Sequence, residues 1–313
     1  MCAPDLFASL GCWLGLEHFC CISCQTRPLD AEPRRLCFLV GSVLSRYDWI
    51  WAGVSSAKDP EALFQIQRKP RCSAVQTVVI FSVMEKSEES LAAGLLDAQA
   101  KAQALFAAIA TQNFIRSGVK ESEINESIYS LAGSMYGIER YWHKRIVRAG
   151  RNTLAPYDEN PPDLTVAGDD VVFLDLGPVF EEWEADFGRT YVVGNDPLKH
   201  KLCRDIEEAF ARGKKHFHEH PEITAAELYA YAQELAARAG WEYGGPIAGH
   251  LIGVFPHEKI AGDKITLYVH PENHNRMRMP DASGRKRHWI LEVHFVDRAR
   301  QIGGFYEELL TIG

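Results

Sequence analysis

The sequence predicts an α+β fold built from two halves, each running helix, helix, strands, that face one another across a shared site. Two observations predict it. The same order of elements occurs twice between residues 85 and 313. Several carboxylates also lie inside strongly apolar, strand-like runs in both halves, where an unpaired charge is costly and a common neutralising partner is required. Hydrophobic residues make up 46% of the chain and charged residues 24%, which supports a sizeable core and argues against global disorder.

Residues 1–84 stand apart as an N-terminal, Cys-rich region. Seven of the eight cysteines (Cys2, Cys12, Cys20, Cys21, Cys24, Cys37 and Cys72) lie there, and only Cys203 lies beyond. A disulfide-stapled fold would spread cysteines through its core, so the rest reads as a domain of a reducing, cytoplasmic compartment. Cys21 and Cys24 form a CxxC with no second pair at metal-ligand spacing, which favours a structural reading. Runs 36–43 and 75–83 have strand character. The first 24 residues lack a basic start and are interrupted by Glu17 and His18, so they do not read as a signal peptide. No apolar stretch approaches the ~18 residues of a membrane span. The net charge of −8 argues against a nucleic-acid or anionic-membrane partner.

The second region, 85–313, reads element by element. Ser87 opens a helix whose apolar spacing runs over 91–114, before Ser117-Gly118. A second amphipathic helix spans 122–136 and stops at Gly137. Strands follow at 144–147, 171–176 and 187–193, with a Pro- and Asp-rich loop at 160–163. Helical spacing returns over 198–215 and 224–239. Thr224 with Glu227 three residues on is a capping box, and Gly240 is a stop. Strands are expected at 264–269, 288–295 and 305–312.

Chemistry concentrates in five places. Asp175 ends the run Val171-Val172-Phe173-Leu174, and Asp186 follows eleven residues later. A hairpin between them puts the two carboxylates on neighbouring strands, where they need a shared proton or a cation. His250 and His257 sit in a Gly- and Pro-rich segment. Glu292 interrupts the apolar strand 288–295, and alternation puts it on one face with His294. Glu307 and Glu308 point to opposite faces, so one of them looks inward.

The order Asp, Asp, His, Glu, Glu in these settings resembles the pita-bread metallopeptidases: methionine aminopeptidase, aminopeptidase P, prolidase and creatinase. Phe173-Leu174-Asp175-Leu176-Gly177 with Asp186-Phe187-Gly188-Arg189-Thr190 is close to that family's first metal signature. His250-Leu251-Ile252-Gly253 with His257-Glu258 is close to its histidine signature. The resemblance implies the pita-bread fold over 85–313 and two divalent ions (Mn²⁺, Co²⁺, Zn²⁺ or Fe²⁺). It implies hydrolysis of short peptides by a hydroxide shared between them. Asp175 would hold one ion, Asp186 and Glu307 would bridge both, and His250 and Glu292 would complete the other. Glu292 would also shuttle a proton, and His257 would hydrogen-bond the substrate carbonyl. A homodimer is the assembly expected.

The chain departs from the family pattern at three positions. Tyr157 lies where a further His usually precedes the first Asp. His294 follows Glu292 where Pro is usual nearby, and Phe305 replaces the Arg that proline-specific members carry two residues before the last Glu. Tyr157, His294 and Phe305 are therefore the candidate substrate contacts, and strict Xaa-Pro specificity is weakened. Arg276, Arg278, Arg285, Lys286 and Arg287 crowd one loop, read as a solvated basic loop in preference to a clamp for a substrate carboxylate. Two other readings stand beside the peptidase. One is a non-catalytic binding protein on the same fold, and the other is a creatinase-like hydrolase of non-peptide C–N bonds.

Overall fold

The computed structural model describes residues 86–256 and 264–313, all within the compact unit Ser82–Gly313. The Cys-rich region with its two strand-like runs and its CxxC, as well as His257, lies outside the described residues. Among the described residues the α-helices are α1 (Glu88–Thr111), α2 (Glu121–Tyr136), α3 (Pro197–Glu219) and α4 (Ala225–Ala239). The strands are β1 (Ile146–Ala149), β2 (Val171–Leu176), β3 (Val179–Phe180), β4 (Trp183–Glu184), β5 (Phe187–Val192), β6 (Glu242–Tyr243), β7 (Leu251–Ile252), β8 (His288–Asp297) and β9 (Ile302–Leu309).

Local chemistry sets the helix ends. The Ser87 side chain accepts from the Ser90 N–H and caps α1. Thr224 and Glu227 form the reciprocal capping box of α4, which Gly240 ends in left-handed backbone. Gly137 ends α2 in the same way.

Seven strands form one antiparallel sheet in the order β1-β2-β5-β9-β8-β6, with β7 pairing to β8. Alternation sorts each strand by face. Val172, Leu174, Leu176 and Phe187 pack with Leu105, Ile109, Ile124 and Ile128 of the first helix pair. Leu291, Val293 and Phe295 pack with Leu202, Ile206, Phe210 and Leu228 of the second. Each such side chain contributes roughly 1.5–3 kcal/mol by leaving water. The helices thus cover one face of the sheet, and the polar partners of these strand residues (Asp175, Glu292, His294, Glu307) lie on the other.

One expected strand is absent. Residues 264–269 form instead the 3-10 turn Lys264–Leu267. β7 already pairs with β8 at Leu251↔Trp289 and Ile252↔His288, and the alternating apolar run closes on itself through Tyr268 N–H to the Ile265 carbonyl. Among the described residues the expected ladder is reduced to the bridge His250↔Tyr268 and the hydrogen bonds of Val269 with Ala248 and Gly249. Among the described residues no helix is long and apolar enough to cross a membrane.

Candidate metal centre

Strand register assembles the site. Ile146 lies opposite Asp175, Asp175 opposite Gly188, Gly188 opposite Glu307, and Glu307 opposite Glu292. Directly opposed residues share a face, so three carboxylates stand in one row across β2, β9 and β8, with Gly188 leaving a gap between them. The β3–β4 hairpin returns the chain so that Asp186 enters immediately before β5. His250 immediately precedes β7, which β8 holds in place.

Asp186 is the hub. Its Oδ2 lies 3.1 Å from His250 Nε2 and its Oδ1 lies 3.2 Å from His143 Nε2. Two groups of potential ligand atoms therefore share it, with all atoms in each group within 4.8 Å of one another: His143, Asp175 and Asp186, and Asp186, His250 and Glu307. Glu292 belongs to neither group. It faces Glu307 across the ladder and accepts from the Gly249 N–H. Glu307 is 1% exposed, and its Oε2 is buried with no hydrogen-bond partner. An orphaned carboxylate oxygen costs its full desolvation unless a proton or cation meets it. The donor set of carboxylate oxygens and imidazole nitrogens suits a transition-metal dication.

Charge makes the same demand. Burial, then the neighbouring Asp186, pushes Asp175 up to about 7 even though His143 pulls it down. Burial and the two aspartates drive both Glu292 and Glu307 well above the ordinary carboxylate range. Asp186 alone moves down, because His143 and His250 together overcome its burial. Burial opposes a charge on His143, but Asp175 and Asp186 outweigh it and bring the imidazolium to about 9. Raised carboxylates favour protons shared within the cluster, and divalent ions bound there would satisfy the same charge.

Comparison with known proteins decides the family. The profile of metallopeptidase family M24 matches residues 93–281, more than half of the chain. The chain belongs to family M24. The Xaa-Pro dipeptidase of Pyrococcus horikoshii is 31% identical over 147 residues, covering 46% of this chain and 40% of that protein. That of Lactobacillus helveticus is 31% identical over 149 residues, covering 46% and 39%. The chain thus spans about two fifths of these relatives' length. Among solved structures, the prolidase from Thermococcus sibiricus superposes with a TM-score of 0.56 at 20% identity, over 72% of this chain and 59% of that one. The X-Pro aminopeptidase of Thermotoga maritima gives 0.55 at 23%, over 74% and 63%. The fold is the pita-bread α+β fold of M24 peptidases.

In this M24 chain the remaining candidates are placed as follows. His294 and Phe305 oppose each other one row along from the carboxylates, on the same face. Both are buried against Phe173, at ring separations of 5.9 and 5.4 Å. Burial lowers His294 to about 4, and its neutral ring donates from Nε2 to the Thr153 carbonyl. Tyr157 is 53% exposed, with its ring 6.0 Å from that of His143. The arginines of the basic loop are engaged locally: Arg276 with Glu222, Arg278 with backbone carbonyls beside Phe217, and Arg285 with Asp281. The sequence reading missed His143. A lone His in Trp142-His143-Lys144-Arg145 carries the signature of an exposed basic turn, and only tertiary docking brings it inward.

Gly188 gives a steric check on the row. A Cβ there would lie 2.5 Å from the Phe305 ring and 3.0 Å from Glu307 Cβ. Gly188→Val is expected to destabilise the protein by about 1–3 kcal/mol and to weaken metal uptake by displacing Glu307. Thermal unfolding alongside a metal titration measures both, and a variant with unchanged metal affinity would show that the row is not a ligand scaffold.

Proposed function

We propose that this chain is a dinuclear metal-dependent exopeptidase that cleaves short peptides at their N-terminal end, as an Xaa-Pro dipeptidase or an aminopeptidase. The observation that carries it is the sharing of Asp186 between two ligand groups, which is the arrangement a bridging carboxylate needs. Asp175, Asp186, His250, Glu292 and Glu307 are the residues assigned to the ion pair. When bound, such ions polarise a scissile carbonyl and lower the pKa of water.

The chain's own residues supply the rest. Glu292 is less deeply covered than the other ligands, and burial together with Asp175 and Asp186 favours its protonated form, which suits a group that takes up a proton and returns it to the leaving amine. His257, two residues after Phe255, is assigned to the substrate carbonyl on its sequence position. Phe173, His294 and Phe305 form an aromatic wall assigned to the residue beside the cleaved bond, and Tyr157, exposed beside His143, is a further candidate contact. The similarity to Xaa-Pro dipeptidases supports proline-containing dipeptides as substrates, while Phe305 supports a wider range. The cysteine distribution supports a cytoplasmic location.

The test is a panel of dipeptides and tripeptides, with and without proline, given to protein reconstituted with Mn²⁺, Co²⁺ or Zn²⁺. Metal-dependent release of the N-terminal residue is expected. Absence of both bound metal and hydrolysis would exclude the enzyme and leave a binding protein on this fold.

A further inference from the structure

We propose that His143 Nε2 is itself a metal ligand, completing the ion held by Asp175 and Asp186, so that each ion of the pair has its own imidazole. The inference rests on the dinuclear reading above and extends it.

The two histidines are placed alike on either side of Asp186. His143 Nδ1 lies 2.7 Å from the carbonyl of Lys144, the next residue, and His250 Nδ1 lies 2.8 Å from the carbonyl of Leu251, also the next residue. A carbonyl only accepts, so in both rings Nδ1 carries the proton and Nε2 is the atom left for a cation. Both Nε2 atoms point at Asp186, one at each oxygen.

Distances favour a ligand over a hydrogen-bond partner. Two donor atoms ~2.0–2.2 Å from one ion, at roughly tetrahedral to octahedral angles, lie about 3–3.5 Å apart. His143 Nε2 is 3.2 Å from Asp186 Oδ1 and 3.4 Å from Asp175 Oδ1. The second contact lies beyond the ~2.7–3.2 Å usual for N–H···O, so one ring proton does not account for both, whereas one shared ion does.

The neighbourhood is built for this placement. Trp142 donates its backbone N–H to the Gly177 carbonyl at 2.9 Å and its indole N–H to the Ala185 carbonyl at 3.1 Å. These anchors tie the Trp142-His143 pair to the residues flanking Asp175 and Asp186. A Cβ at position 177 would collide with both the His143 and Trp142 rings, so glycine there makes the space. The His143 side chain is 4% exposed, which places it among the ligands rather than in the cleft. A second nitrogen donor shifts the preference from Mn²⁺ toward Co²⁺, Zn²⁺ or Fe²⁺.

The experiment is ¹H NMR of the full chain loaded with Co²⁺, reading the paramagnetically shifted, exchangeable ring N–H signals of coordinated histidines. Two such signals are expected for the wild type, one for His143→Gln and one, the other, for His250→Gln. A cobalt titration of His143→Gln is expected to weaken one ion more than ~100-fold, the upper end of what losing an outer-shell partner costs, and to spare the second. Two bound cobalt ions with a single shifted N–H in the wild type would overturn the assignment and leave the metallopeptidase reading intact. That result needs no variant to fold. No cobalt uptake at all would overturn both.

Discussion

Asp186→Ala is expected to empty the centre of both metals and to lower peptide hydrolysis by at least about 10³-fold. One carboxylate faces both imidazoles and belongs to both ligand groups, so its loss is felt by both ions. Removing Lewis-acid stabilisation worth several kcal/mol corresponds to that factor. The fold is expected to survive. Asp186 is one of the aspartates that push Asp175, Glu292 and Glu307 upward, so its removal relieves repulsion as well as depriving two histidines of a partner. Metal analysis, hydrolysis rate and thermal unfolding of the same sample separate these effects. Retention of two metals at the wild-type rate would refute the ligand assignment, and loss of folding would refute the argument from repulsion.

The metal-free protein is expected to lose stability steadily from about pH 4 to pH 9, and metal is expected to restore more of it as the pH rises. The sign follows from which state binds protons. Asp175 stands at about 7 in the fold against 3.8 ordinarily. It stabilises the fold fully below its ordinary value and loses that contribution as the pH climbs through 7. Glu292 and Glu307, also raised, act in the same sense. His143, at about 9 against 6.5, keeps its contribution below 6.5 and loses it through 9. Asp186 is lowered and acts oppositely, but only in acid below its ordinary value. The shift at Asp175 is worth on the order of a few kcal/mol, and each kcal/mol moves the Tm of a domain this size by ~2–4 °C. The metal-free Tm is therefore expected to fall by about 5–10 °C between pH 5 and pH 8. With saturating Zn²⁺ or Co²⁺ the curve flattens, since cations replace the protons. A metal-free Tm that is flat or rising over this range would show that the carboxylates are not crowded as the structure has them.

Local signals carried much of this into the sequence. β2 matches its apolar run end to end, and α4 matches its capping box and terminal glycine, because both are decided within a few residues. The inward choice between Glu307 and Glu308 was legible only as an alternation. The structure settles it by pairing Glu308 with Arg189 and burying Glu307 in the row. Residues 264–269 carried a strand pattern, yet Lys264–Leu267 close into a local 3-10 turn and only Tyr268 and Val269 reach the stretch leading into β7. His143 was illegible for a related reason. Nothing adjacent to it is unusual, and its position depends on carbonyls of Gly177 and Ala185 that lie far along the chain.

The junction of β5 with β9 has a consequence for how the molecule comes together. Each half owns a helix pair and the strands beneath it, and can bury its own apolar side chains from contacts close in sequence. The seam between halves joins Arg189 to Glu308 across 119 residues and aligns Gly188 with Glu307. Closing so long a loop is slow relative to local pairing, so this seam is expected to form late in assembly. Asp175 and Asp186 arrive with one half, and Glu292 and Glu307 with the other. A nascent chain in which only the first half has emerged therefore lacks part of the centre, and on the proposed dinuclear reading the uptake of a second metal ion would mark the moment at which the two halves have met in register.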